Sequence, residues 1–213
     1  MKKRKRPGQP GGVRDTNRKA RREALLEAAL LLFLERGIEG VSVDDITKKA
    51  KMAKGSFYRY FEDQAALVEE LIAPTREKMS QALEQCSLEL NTASTRDAQF
   101  QAYARIGDVV GTVFLEHPGV VRLYLQENRA PGVNARKPIV ELSEIVSRYA
   151  IEITKKAQKH GILRPIPEAI SALAVVGATE RLLHGVLLEE PIGNPLDVPK
   201  HLATLIIDGL KAE

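Results

Sequence analysis

Residues 42–61 read SVDDITKKAKMAKGSFYRYF, and the fold turns on how this stretch is read. Ser42 is a helix N-cap, and Asp45 three residues later completes a capping box, with Asp44 also at the positive end of the helix dipole. Val43, Ile46 and Ala50 recur at helical spacing and define a core face, which turns Thr47 and Lys48 outward. Lys51-Met52-Ala53 is long enough only for a turn, with Met52 as its buried plug. A second helix starts near Lys54 and brings Phe57 and Phe61 inward as an i, i+4 pair. Lys54, Ser56, Arg59 and Tyr60 stay outside. A helix presenting cations, hydroxyls and an aromatic has the chemistry to lie in a DNA groove. The same residues also suit an ordinary helical hairpin with solvated charges, so the surroundings have to choose.

The chain ahead of this stretch is strongly basic. Residues 1–22 carry ten Lys or Arg against one acid, Asp15, while the whole chain is only +4, so everything after residue 22 is net acidic. A basic end on a mildly acidic body points to a polyanion met at that end. Residues 1–13, MKKRKRPGQPGGV, place five consecutive cations before Pro and Gly, and no packed structure is expected there. They suit either an arm following the DNA backbone or minor groove, or a solubilising tail. The unstructured arm is expected to cover residues 1–17.

From Thr16 to Arg36 the pattern is helical. Leu25, Ala28 or Ala29, Leu32 and Phe33 form an apolar stripe, and Gly37 terminates the helix. Its first turns are rich in arginine, against the preference of the dipole. With the two helices that follow, this makes a helix-turn-helix module over residues 18–67.

The run EALLEAALLLFLERGIEGVSVDDITKKAKMAKGSFYRYFEDQAALV resembles the DNA-binding domain of the TetR/AcrR family of bacterial transcriptional regulators. The likeness rests on Phe33 and Gly37, on Gly40-Val41-Ser42-Val43, on Ile46 and Ala50, and on Lys54-Gly55-Ser56-Phe57-Tyr58, Phe61 and Leu67. It covers roughly the first third of the chain. The resemblance implies a cytoplasmic, all-helical, homodimeric repressor that binds a palindromic operator in double-stranded DNA and is released by a small-molecule effector. By position, Lys54, Gly55, Ser56 and Arg59 would face base edges, and Thr47, Tyr58 and Tyr60 would hold phosphates. Ser42 and Lys48 complete the expected DNA-contacting set. Two residues depart from the family pattern. Lys51 stands at a turn position where the family usually has glycine, so it either takes a left-handed conformation or the turn differs. Gln64 stands where the family usually has lysine, which weakens one phosphate contact.

Residues 68–213 are expected to form a larger helical domain for effector binding and dimerisation. Gln64 to about Leu90 reads as a long helix that Pro74 either kinks or splits. Helices follow at Arg96–Glu116, Gly119 to about Arg129, Lys137–His160, Pro167–Glu190 and Pro195–Lys211. No alternating stretch of strand length survives, so the fold class is all-α. Pro167–Glu190 is apolar around nearly its whole circumference, with Ala174, Gly177, Ala178 and Gly185 among larger aliphatics. Such a helix is buried on two sides. Either it fills one large protomer core, or with Leu202, Leu205 and Ile206 of the last helix it forms half of a dimer bundle. The dimer reading names Leu173, Gly177, Arg181, Leu188, Leu202, Leu205 and Ile206 as interface residues. An effector pocket would lie between the central helices, with Tyr103, Tyr124, Glu127, Arg129, Glu180 and His184 as candidate polar liners.

Composition narrows the alternatives. A single cysteine, Cys86, allows no internal disulfide, and His117, His160, His184 and His201 are scattered. No phosphate loop or nucleophile elbow is present, and neither cofactor nor metal is expected. No apolar run approaches bilayer length and the N-terminal residues lack a signal peptide's apolar segment, so no membrane partner is expected. An architectural DNA binder without an effector, driven by the basic arm, is the competing reading. An all-α enzyme is the third.

Overall fold

The computed structural model describes residues 12–93, 95–194, 197, 198, 201, 202, 204 and 209. The arm before residue 12 and most of the expected last helix, including Leu205 and Ile206, lie outside the described residues. Among the described residues there is no β-strand. The helices of the described residues are, in order, α1 (Val13–Arg36), α2 (Val43–Lys49), α3 (Gln64–Thr92), α4 (Arg96–Glu116), α5 (Pro118–Glu127), α6 (Lys137–Lys159) and α7 (Glu168–Leu187). The all-α expectation holds. Helix α1 starts at Val13, so its first turn occupies residues that the sequence assigns to an unstructured arm.

Punctuation residues set most boundaries. Gly37 closes α1 at φ 73°, donating its N–H to the Phe33 carbonyl. Pro118 opens α5 at a first-turn position where its missing N–H costs nothing. Gly161 follows α6 at φ 68°. Gly40 is required for space: a Cβ there would stand 2.5 Å from the Arg36 carbonyl oxygen.

Pro74 neither splits α3 nor ends it; the helix runs from Gln64 to Thr92 with the proline inside. The Pro74 nitrogen cannot donate to the Glu70 carbonyl. An ion pair between Glu69 and Arg76 spans the interruption from outside.

Two apolar clusters hold the molecule together. The larger joins Leu25, Leu32 and Phe33 of α1, Ile46 of α2, Phe57 and Phe61 to Leu67, Val68 and Ile72 of α3. It continues into Val120 and Leu123 of α5 and Ile139 and Leu142 of α6. The expected division at residues 67 and 68 therefore falls inside one helix and one core. The smaller cluster, Leu83, Cys86 and Leu90 of α3 with Ala102 of α4 and Ile153 of α6, fills the far half. Burial pushes the Cys86 thiol up to about 12, which keeps it protonated and unreactive.

Candidate nucleic-acid interface

The capping box that opens α2 is complete. The Asp45 carboxylate accepts from the Ser42 N–H at 2.9 Å, and the Asp45 N–H donates to Ser42 Oγ at 3.2 Å. Hydrogen bonds from the Ser42 side chain and backbone hold the Asp45 carboxyl below its usual range. On the outer side Lys48 meets Asp44 at 2.7 Å, and that bond raises the ammonium's pKa. Lys48 thus reaches outward as expected, with its charge partly matched by its own helix.

Thr47 corrects the sequence reading. It is 1% exposed, and its hydroxyl donates to the carbonyls of Val43 and Asp44, both at 3.1 Å. A threonine that bonds back to the preceding turn satisfies itself and can be buried. The Met52 N–H then closes the turn onto the Thr47 carbonyl at 2.8 Å. Thr47 supports the helix from within and is not placed to hold a phosphate.

The turn itself takes the left-handed option. Lys51 sits at φ 55°, a conformation that costs a side-chain-bearing residue about 1–2 kcal/mol. Lys51→Gly is expected to stabilise the protein by about 0.5–1 kcal/mol after the extra unfolded-state entropy of glycine is counted. Thermal melts check this; a midpoint that stays or falls would show that the turn carries no such strain.

Beyond the turn, Lys54–Arg59 forms a 3-10 helix where an α-helix is expected. Ala53 provides no side-chain cap, and Gly55 and Ser56 are weak helix formers. The first bond, Ser56 N–H to the Ala53 carbonyl at 2.8 Å, is accordingly a tight i, i+3 closure. Phe57 and Phe61 still pair, their ring centroids 5.5 Å apart and both buried in the larger cluster. The guanidinium of Arg22 lies 5.6 Å from the Phe61 ring centre and pairs with Glu70, so this α1 arginine is structural.

The inward anchoring leaves one face open. Lys54, Gly55 and Arg59 are exposed, Tyr58 is 59% exposed, and Ser56 is half-buried. Tyr60 is half-buried against the larger cluster. Gly55 has no internal reason to be glycine: a Cβ there would meet nothing within 4 Å. Gln64 turns inward, its amide donating to the carbonyls of Val41 at 3.0 Å and Ile38 at 3.4 Å. It ties the start of α3 to the loop after α1, a role that its place at a helix start did not signal.

The expected pocket residues separate into four places. Tyr124, Asn128 and Arg129 converge on Glu180, with the Tyr124 hydroxyl 2.9 Å from the carboxylate and the Arg129 guanidinium 2.6 Å from it. Burial, above all, pushes the Tyr124 phenol up to about 12. Tyr103 packs against the smaller cluster instead, and its buried hydroxyl has no partner among the described residues, nor has Thr75 Oγ1. Glu127 is no pocket liner: it is buried and bonded to the Ile38 N–H and to Arg136. His184 and Arg129 lie at the surface, because their positions on α7 and after α5 face away from the core. A groove of about 430 Å³ between α3 and α4 is lined by Lys78, Gln81, Gln85, Val109 and Thr112, so none of the expected liners reaches it.

On α7 Ile170 and Leu173, and Leu188 just past its end, are 64%, 47% and 51% exposed. They fall with Ala174, Gly177, Arg181 and His184 on one helical stripe. Arg181 is held beside it by Glu190 at 2.8 Å. By length and composition α7 could cross a membrane. Glu180, bonded to three residues at the end of α5, ties it to the rest of the protein instead.

Residues 25–71 match the family model described as "Bacterial regulatory proteins, tetR family". An uncharacterised HTH-type transcriptional regulator, YuxN of Bacillus subtilis, is 29% identical over 53% of this chain and 37% of its own length. The HTH-type transcriptional repressor NicS of Pseudomonas putida is 27% identical over 83% of this chain and 76% of its own length. The chain spans little more than a third of the first curated relatives it matches. Among solved structures, the transcriptional regulator FadR from Bacillus subtilis, in complex with stearoyl-CoA, superposes with a TM-score of 0.64 at 17% identity. That likeness covers 88% of this chain and 98% of the FadR chain, and it is a likeness of fold alone.

Proposed function

We propose that the chain, whose residues 25–71 match the tetR family of bacterial regulatory proteins, is a dimeric cytoplasmic DNA-binding repressor released from a palindromic operator by a small-molecule effector. One observation carries this reading. A rigid, internally satisfied scaffold sets Lys54, Gly55, Tyr58 and Arg59 on an open face that the protein's own packing does not use. Lys54 and Arg59 supply hydrogen-bond donors for guanine edges or phosphates, and a glycine lets backbone approach a partner closely. A six-residue segment reads few base pairs, so two copies in successive major grooves supply the specificity.

The apolar stripe on α7 supports a two-fold contact between protomers, formed by Leu173, Gly177, Arg181 and Leu188. Leu202, which follows later in the chain, is half-buried, and Leu205 and Ile206 extend the proposal into residues not described. For the effector, the interior between α3, α4 and α6 supplies aliphatic walls from Leu83, Leu90 and Ile153. The Tyr103 hydroxyl there, without a partner among the described residues, suits a mainly apolar molecule with a hydrogen-bonding group. Its binding would have to favour the released arrangement by several kcal/mol to empty the operator.

Footprinting over the gene's upstream region finds the operator and its half-site spacing. On that operator Arg59→Ala is expected to cost about 1–3 kcal/mol and to relax base preference at one position. An equal loss on random DNA would reduce Arg59 to a phosphate contact, and no protected palindrome would overturn the repressor reading.

A further inference from the structure

The end of α5 and the residues just after it, 124–129, face two ways. Tyr124, Asn128 and Arg129 hold Glu180 in the middle of α7. Gln126 and Glu127, between them in sequence, hold the end of α1. The Gln126 amide donates to the Phe33 carbonyl at 3.1 Å, and Glu127 Oε1 accepts from the buried Ile38 N–H at 3.2 Å. Arg136 Nε lies 2.7 Å from the other Glu127 oxygen and stands between Glu127 and Glu39. The backbone there has little room to drift, since a Cβ on Gly37 would come within 3.2 Å of Glu127 Oε1. Ile38 is gripped on its second polar group as well, its carbonyl accepting from Gln64. Its side chain lies in the same cluster as Phe57.

We infer that residues 124–129 couple α7 to the DNA-binding unit, with Glu180 and Glu127 as positioning residues at either end of the link. The Phe33 carbonyl, which also accepts from Gly37, and the Ile38 N–H just past the helix are both held by a segment whose own orientation is set by Glu180. A shift of α7 against α5 therefore rotates the residues that hold Phe33 and Ile38, and through the shared core the segment bearing Arg59. The inference rests on the reading that the body regulates DNA binding, and it names the side chains that carry the regulation.

Hydrogen exchange of the full-length protein without DNA tests the link directly. Glu180 touches no residue of α1 in the bonds described, yet Glu180→Ala is expected to speed exchange across residues 36–41 by about tenfold, the same direction expected of Glu127→Ala. Glu180→Gln keeps an oxygen that can accept from Tyr124 and Asn128, and it should restore much of that protection. It also keeps the test decisive should the alanine variant fail to fold. Faster exchange confined to residues 120–132 and 176–188 in both Glu180 variants would overturn the link. In a second arm, Glu180→Ala should weaken operator binding while leaving the oligomer mass unchanged. If the wild-type protein protects no operator, the repressor reading falls, and the exchange result still decides whether the two ends are coupled.

Discussion

Phe57→Ala is expected to destabilise the protein by about 3–5 kcal/mol, the range for removing a fully buried phenylalanine. The side chain is fully buried, touches Phe61 and Tyr58 edgewise or tilted, and belongs to the cluster that runs from α1 through α3 into α5 and α6. The 3-10 segment around it is short and has no side-chain cap. Phe57 is the one buried side chain within it, and with Phe61 just beyond it seats the segment that carries Lys54 and Arg59. Domains of this kind hold together by about 5–15 kcal/mol, so the loss takes a large share and DNA binding should fall with it. Tyr58→Ala is the internal control. At 59% exposure the neighbouring residue should change stability by no more than about 0.5 kcal/mol while still weakening DNA binding. Denaturant unfolding of both variants checks the contrast; a Phe57→Ala cost below about 1 kcal/mol would show that the segment is not seated on this core.

That inward and outward division was legible in the sequence because it follows from local spacing. Phe57 and Phe61 are one helical turn apart, and the capping box at Ser42 and Asp45 is written in four consecutive residues. Gly37, Pro118 and Gly161 likewise marked helix ends that local backbone geometry sets. Thr47 was misplaced for the opposite reason. Helix α2 is only seven residues long, and the turn through Met52 folds back over it, so a side predicted as outer is covered. Glu127 and Gln64 were out of reach of any local pattern. Their partners lie 89 and 23–26 residues away in sequence, and a carboxylate after an apolar helix reads the same whether it faces solvent or a distant N–H. Pro74 shows the limit from another side. Proline forbids one hydrogen bond but does not forbid a helix whose neighbours hold it on course, and α3 is packed along α4 and α6.

Leu67 and Val68 are buried in a core shared by α1, α5 and α6, so no flexible joint separates the reading unit from the body. Motion of either part has to repack or tilt this core rather than swing on a linker. Bonds such as Glu127 to Ile38 then matter beyond their own strength, because they determine which tilt is permitted.

The other large effect concerns α7. Leu173→Asp is expected to convert a dimer into a monomer and to lower operator affinity at least about a hundredfold, which is roughly 2.7 kcal/mol. Leu173 is 47% exposed in the protomer, in line with Ile170, Gly177 and Leu188, so the change should leave the protomer fold nearly untouched. Across a two-fold axis the same stripe meets itself, and each introduced carboxylate would be buried near its mate without a counter-charge. Arg181 is nearby on the stripe, but Glu190 already holds it at 2.8 Å. The affinity loss comes from geometry rather than from any DNA contact. In a dimer the second recognition segment binds at an effective concentration of about millimolar once the first is seated, and a monomer forfeits that gain. Light scattering and operator titration measure the two halves of the expectation. The wild-type melting point should also rise with protein concentration, while that of Leu173→Asp should not. A variant that remains dimeric with unchanged operator affinity would move the interface off α7, and the exposed stripe from Ile170 to Leu188 would then need another occupant.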